Sequence, residues 1–182
     1  MWQCSFKQIW TPIYPNPAWL VKKGHGSFLT FEFGQPELKI REPGVRSPDV
    51  SEKARQAAAR RLVTVSGEWH LWIYCCNWSI FYNGVKLSHN ESPDDVIDRA
   101  ANRLDGQKLK EVERGELPGS WLFVFDLGGK LQTWPYDGEL LEEQWMLYER
   151  TSGKVLVARA DGLCSYEAGD HPADAERHWS TM

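Results

Sequence analysis

No apolar run in the sequence approaches the roughly 18 residues that a membrane-spanning helix requires, so a helical membrane protein is excluded and no membrane partner is expected. The first ten residues, Met1 to Trp10, lack the basic stretch and long apolar segment of a secretory leader, and a cytoplasmic protein is expected. Cysteine is scarce: Cys4, Cys75, Cys76 and Cys164 have no CxxC spacing, which argues against a zinc ribbon or a disulfide framework. A basic surplus is also missing. With 21 Lys and Arg against 25 Asp and Glu, a net charge of −4 and a pI near 5.8, the chain has no concentrated positive surface for neutralising phosphates, so no nucleic acid partner is expected. Neither a Ser-His-Asp order nor a nucleophile elbow occurs, no motif names a reaction or a cofactor, and the balance is against an enzyme.

What the sequence has in excess is aromatic residues, 10 Trp, 7 Phe and 6 Tyr among 182. Such side chains favour pleated, half-buried surfaces and contact sites, which points to a β-rich protein. They concentrate in Gly67-Glu-Trp-His-Leu-Trp-Ile-Tyr-Cys-Cys-Asn-Trp-Ser-Ile-Phe-Tyr-Asn-Gly84. On a strand, Trp69, Leu71, Ile73 and Cys75 share one face and His70, Trp72, Tyr74 and Cys76 the other. Neither face is polar, so the run reads as an interior strand. Cys75 and Cys76 point apart and are read as reduced thiols. An unbroken strand from Trp69 to Tyr82 exceeds the usual length, which places a bulge or bend near Cys76-Asn77.

Taken in order, residues 1–26 mix Pro12, Pro15, Pro17, Gly24 and Gly26 with Trp2, Trp10, Tyr14 and Trp19, the pattern of an irregular arm with large anchors. Ser27 to Phe33 and Leu38 to Arg41 alternate as strands and are expected to form a hairpin. Ser51 can cap a short helix up to Arg61, although its apolar stripe is weak and a mobile connection fits the segment nearly as well, and Leu62 to Val65 then leads into the aromatic run. Asn83-Gly84 signals a type I′ turn into Val85 to Leu87. Ser92-Pro93-Asp94-Asp95 reads as cap, first helical residue and acidic first turn of a helix whose apolar stripe is Val96, Ile97, Ala100, Ala101 and Leu104, with Gly106 as its stop. Further strands are expected over Lys108–Arg114, Trp121–Leu127, Lys130–Trp134, Gln144–Glu149, Val155–Ala160 and Leu163–Tyr166, divided by Gly-containing turns. Residues 167–182 read as a polar tail.

An internal echo links Phe31-Glu-Phe-Gly34, Leu38-Lys-Ile40 and Trp69-His-Leu-Trp72 to Phe125-Asp-Leu-Gly128, Leu131-Gln-Thr133 and Trp145-Met-Leu-Tyr148. Duplication of a β unit and chance matching of amphipathic strands both account for it. The expected architecture is α+β, mainly β: an antiparallel sheet, partly open barrel or sandwich of two meanders joined by one amphipathic helix. Residues 27–166 form its single domain.

Candidate binding residues are His70, Trp72, Tyr74 and Trp78, read either as core beneath the helix or as the lining of a concave face for a ligand or partner. A histidine among apolar neighbours can serve chemistry, although its commoner role is a hydrogen bond to a backbone group or carboxylate. Asp170, His171, Glu176 and His178 are metal-ligand types in the tail, but no fixed set of four donors is evident and no metal is expected. Asp126, Asp137 and Asp161 beside glycine are explained by turns.

Five segments together, Gly67–Trp78, Leu104-Asp-Gly-Gln107, Phe125-Asp-Leu-Gly-Gly129, Gln144-Trp-Met-Leu-Tyr148 and Arg159-Ala-Asp-Gly162, resemble a family of small bacterial proteins of unknown function, over residues 27–166. That resemblance implies a fold and no activity. In size and acidity the chain also resembles the compact β-rich immunity proteins that neutralise bacterial toxins. The functional expectation is a non-enzymatic protein-binding domain of immunity or antitoxin type, with a basic protein as partner. The alternative is a barrel-like protein holding a small apolar ligand.

Overall fold

Alternating strands with one apolar face need a second such face to bury it, and the chain supplies both in two antiparallel sheets. The computed structural model describes residues 5–45, 47–170 and 177–181. In chain order the elements are α1 (Phe6–Trp10), β1 (Trp19–Lys23), β2 (Leu29–Phe33), β3 (Glu37–Arg41), α2 (Glu52–Ala58), β4 (Leu62–Ser66), β5 (Trp69–Ile73), β6 (Asn77–Tyr82), β7 (Val85–His89) and α3 (Asp94–Leu104). β8 (Leu109–Arg114), β9 (Trp121–Phe125), β10 (Gly129–Trp134), β11 (Glu143–Glu149), β12 (Lys154–Arg159) and β13 (Cys164–Ala168) follow. One sheet has the order β1-β2-β5-β11-β12-β13, the other β7-β6-β10-β9-β8, and β3 pairs with β4 alone. The protein is therefore mainly β, with antiparallel sheets that do not close into a barrel.

The aromatic run passes from one sheet to the other. β5 lies at the centre of the six-stranded sheet, the chain turns at Tyr74-Cys75-Cys76, and β6 continues in the five-stranded sheet. At the corner the Tyr74 N–H still donates to the Gln144 carbonyl, and the Cys76 N–H turns back to the Tyr74 carbonyl. The expected bend is thus a change of sheet, the usual way in which a strand makes the corner of a sandwich. Asn83 and Gly84 both have positive φ, 48° and 79°, as the I′ turn between β6 and β7 requires.

Between the sheets the largest buried side chains are Trp10, Trp78, Trp121 and Trp145, with Phe31, Phe33 and Phe123. Their rings meet edge to face: Trp121 and Trp145 lie 5.1 Å apart at 84°, and Phe123 and Trp145 5.5 Å apart at 77°. α3 lies across β1, β7, β6 and β10 and buries Ile97, Ala100, Ala101 and Leu104. It is fastened to β1 at both ends, by Lys23 to Asp94 at 3.3 Å and by the Val21 N–H donating to the Asp105 carboxylate at 2.9 Å. Gln107 accepts from the N–H groups of Leu127 and Gly129, so the Leu104–Gln107 and Phe125–Gly129 segments brace each other. Asp161 pairs with Arg159 and accepts from the Leu163 N–H. These segments of the resemblance are accounted for by architecture.

Several expectations are corrected. The arm is only partly irregular, because α1 lays Ile9 and Trp10 against the core and β1 forms a sheet edge. Trp10 is fully buried against Phe123 and Trp145, and the turn of α1 pairs the backbone around it, with the Ile9 and Thr11 N–H groups donating to the Ser5 and Lys7 carbonyls. Ser92 does not cap α3; Pro93 is its N-cap, and the Ser92 hydroxyl accepts from the His89 N–H. The strands Leu29–Phe33 and Glu37–Arg41 form no hairpin with each other. Instead β2-β3 and β4-β5 are the two arms of one long antiparallel ribbon, with Phe33 opposite Trp69 and Glu37 opposite Ser66, bent outward between them. The bend is required because the apolar side chains of β2 face the core, whereas every residue of β3 is exposed.

That topology also separates the two halves of the internal echo. Phe125–Gly128 leads into a true hairpin, Phe31–Gly34 does not, and Trp69–Trp72 and Trp145–Tyr148 lie on adjacent strands of one sheet. At the C-terminal end, Ser180 bridges to Cys164 and the Trp179 ring lies beneath the Arg159 guanidinium at 4.4 Å, so this part of the tail is attached to the sheet. Cys4, His171 and Glu176 lie outside the described residues. Cys75, Cys76 and Cys164 are free thiols, and among the described residues no helix is long and apolar enough to cross a membrane.

If α1 is part of the core, removing its largest side chain leaves a cavity between the sheets. Trp10→Ala is expected to lower unfolding free energy by about 3–5 kcal/mol in a denaturant titration. A loss below about 1 kcal/mol, the range of an ordinary surface change, would show that the arm merely lies on the domain.

Candidate functional site

The outer face of the six-stranded sheet is built by the out-of-phase residues of its central strands. Core-facing Phe31, Leu71 and Leu147 leave Thr30 and Glu32 of β2, His70 and Trp72 of β5, and Met146 and Tyr148 of β11 on the other side. The register sets Glu32 opposite His70 and His70 opposite Tyr148, with Thr30, Trp72 and Met146 in the next row. α3 covers the edge near β1 and β7, not this face. His70, Trp72 and Tyr74 are half-buried. Phe28 completes a three-ring cluster: Trp72 and Tyr74 stack at 4.9 Å, and Phe28 meets them edge-on at 5.7 and 5.9 Å.

Trp78, the fourth candidate, is not part of this face. It is fully buried between the sheets and donates its indole N–H to the Ser27 carbonyl at 2.8 Å. The change of sheet at Cys75-Cys76 separates it from Trp72 and Tyr74. Parity counted straight through the run from His70 therefore does not reach Trp78.

Glu32 organises the polar end of the face. One carboxylate oxygen meets His70 Nδ1 at 2.7 Å and the other accepts from the Gly67 N–H at 2.8 Å, while an Arg150 nitrogen lies 3.7 Å away. Burial pushes the Glu32 pKa up. The His70 hydrogen bond, the Gly67 N–H and the positive charges of His70, when protonated, and Arg150 outweigh it, so the carboxyl titrates below its ordinary value. An ionised carboxylate only accepts, so Nδ1 of His70 carries the hydrogen and Nε2 is left for other partners. Gly67 is needed at this place, since a Cβ there would stand 2.3 Å from the Phe33 carbonyl oxygen. The ribbon leaves the sheet at this point. Arg150 flanks a cleft of about 240 Å³ beside Gln35 and Glu68, where the Gln35 N–H donates to the Glu68 carboxylate.

At the other end of the face, the Tyr74 hydroxyl donates to Glu143 at 2.8 Å, and Arg177 approaches the same carboxylate at 3.6 Å. Burial first, then the Glu143 bond and charge, push the Tyr74 pKa far up, so it remains a phenol. Tyr148 is raised mainly by burial, and its hydroxyl rests on the Met146 sulfur at 3.0 Å. Next to Glu143 runs the loop between β10 and β11, Pro135-Tyr-Asp-Gly-Glu-Leu-Leu-Glu142, which carries Asp137, Glu139 and Glu142 and no Lys or Arg. Leu140 is 63% and Leu141 73% exposed in that acidic setting. Isolated exposed leucines are ordinary; two in sequence, in a loop whose charges are all acidic and which ends at the Glu143 that holds Tyr74, mark a candidate contact surface.

Glu32 orients His70 across the strands, and among the described residues no hydroxyl or thiol is hydrogen-bonded to the ring. Among the described residues no cluster of three or more His, Cys, Asp or Glu is placed to hold a metal ion. Sequence reading missed Phe28, Glu32, Glu143, Arg150 and the 135–142 loop. The signal for Glu32 was present, as the one charge in an otherwise apolar alternation, Leu29-Thr-Phe-Glu-Phe33. For the loop it was a run of acids with no compensating base. Comparison of the chain with protein-family models, curated proteins and solved structures gives no match.

Because its folded pKa is lowered, Glu32 stabilises the fold fully above the ordinary glutamate range, and that contribution is lost as pH falls through the lowered value. At neutral pH, Glu32→Gln is expected to cost about 1.5–3 kcal/mol, the scale of hydrogen bonds to a charged group. Denaturant titrations of both proteins from neutral to acid pH are expected to converge at the acid end. A constant gap would place the loss in shape rather than charge.

Proposed function

We propose that the protein is a non-enzymatic binding domain that recognises a basic protein through the aromatic patch of Phe28, Trp72 and Tyr74 and the adjoining 135–142 loop. The observation that supports this most is the loop itself, where exposed Leu140 and Leu141 stand in sequence among Asp137, Glu139, Glu142 and Glu143, the last of which accepts from the Tyr74 hydroxyl of the ring cluster. Aromatic and aliphatic groups inside an acidic rim give a partner both a desolvated centre and a steering field, the division of labour usual at specific interfaces. Such a surface suits an immunity or antitoxin protein, which has only to cover a basic toxin's working site. Kinship with the small bacterial proteins that the chain resembles, and a cytoplasmic location, belong to the same proposal. The small-ligand alternative is weaker, because Trp78, one of its three rings, is occupied in the core.

Affinity capture from an extract of the source organism at moderate salt tests the reading. The wild-type chain is expected to retain a stoichiometric protein of basic pI, and Trp72→Ala and Leu140→Ser/Leu141→Ser to retain at least about tenfold less, since truncating a central aromatic or aliphatic anchor costs more than 1.4 kcal/mol. No stoichiometric partner, or equal recovery by all three, removes the basis for it.

A further inference from the structure

The β3–β4 ribbon stands apart from both sheets and differs from them in composition. Paired residues share a face, so Leu38, Val65, Ile40 and Val63 form one aliphatic side, and they are 61%, 43%, 56% and 53% exposed. A two-stranded ribbon with no cover is marginal in water, and this one shows its apolar side to solvent along its whole length. The connection at its tip, which contains α2, buries none of its helical residues. Charge separates it as well. Residues 37–66 hold seven Lys and Arg against four Asp and Glu, whereas the rest of the chain holds 14 against 21. Two of the tip's acids are already matched inside it, Glu52 with Arg55 and Glu42 with Arg61, so the arm keeps a surplus of cations, carried by the connection at its tip and, as Lys39 and Arg41, by the ribbon face opposite the aliphatic one.

The same molecule carries the complement: the 135–142 loop, with Leu140 and Leu141 exposed, three acids and no base. We propose that a second copy of the chain is the occupant of the ribbon's apolar side, the ribbon of one protomer docking on the acidic loop of the other. Reciprocal docking gives a closed two-fold dimer in which each chain offers one arm and receives one, an arm of net positive charge meeting a loop of net negative charge. The inference rests on the reading of the 135–142 loop as a binding surface and adds a regulatory meaning to it. In the dimer the loop is covered, so self-association and the capture of a basic partner exclude each other.

Sedimentation of the full chain tests this with a complementation design. Ile40→Glu/Val63→Glu places negative charge on the ribbon, and Leu140→Lys/Leu141→Lys places positive charge on the loop; all four positions are exposed, so the fold has no need of them. The wild type is expected to dimerise and each variant alone to dimerise at least about tenfold more weakly. An equimolar mixture is expected to recover the dimer, because one contact then joins an unaltered ribbon to an unaltered loop and the other sets the new glutamates of one variant against the new lysines of its partner. That recovery cannot arise from a variant that has failed to fold. A monomeric wild type, a dimer that survives either pair of substitutions, or a mixture that stays monomeric overturns the proposal. None of these outcomes bears on capture of a foreign partner, whose failure would in turn leave a dimer standing.

Discussion

One backbone segment serves both sheets, and the remaining architecture follows from that constraint. Between Ile73 and Asn77 the chain leaves the centre of one sheet and enters the other next to its edge strand β7, so the two layers are tied covalently at this corner. Leu71 and Ile73 before the corner and Trp78 and Ile80 after it all face the same interior. The layers must then be close-packed to hide four large aliphatic and aromatic groups issuing from one strand, and Trp10, Trp121 and Trp145 fill the space that remains. With both inner faces committed to packing, recognition is left to the outer faces, the connections and the ribbon.

The sequence showed its elements more clearly than their partners. Alternation located nearly every strand to within a residue or two, since period-two patterning is a local consequence of burying one face. The stripe Ile97, Ala100, Ala101 and Leu104 likewise marked α3. Pairing was not legible, because it depends on which faces meet after the chain has returned from far away. The Ser27–Phe33 and Leu38–Arg41 segments looked like a hairpin, with a Gly-Gln-Pro turn between them. In the fold that turn only bends a ribbon whose other arm arrives some thirty residues later. The candidate site was half legible for the same reason: His70, Trp72 and Tyr74 share a face by parity, Trp78 lies beyond the corner where parity resets, and Glu32 and Tyr148 come from strands that only the tertiary register brings alongside.

Polar groups around the site divide into those that hold it and those that are free to meet something else. Glu32 anchors His70, the Gly67 amide and the base of the ribbon from one buried position, and Glu143 holds Tyr74 while Arg177 approaches it from the C-terminal segment. Among the described residues, the side chains of Asp137, Glu139 and Glu142 make no such attachment, although the Glu142 carbonyl accepts from the Ala160 N–H. The distinction separates scaffold charge from contact charge within a few ångströms. It also explains why a mildly acidic protein can present a strongly acidic surface in one place and a basic arm in another.

The seat of Trp10 has a bearing on how the protein is made. Its ring is enclosed by Phe123 and Trp145, which follow it by more than a hundred residues. During synthesis the N-terminal helix therefore has no place to dock until β9 and β11 have cleared the ribosome, late in translation. For most of that time Phe6, Ile9, Trp10 and Ile13 lack their final cover. Cover for these side chains therefore arrives only with the last third of the chain, and the contacts that seat the N-terminal helix are among the longest in sequence separation.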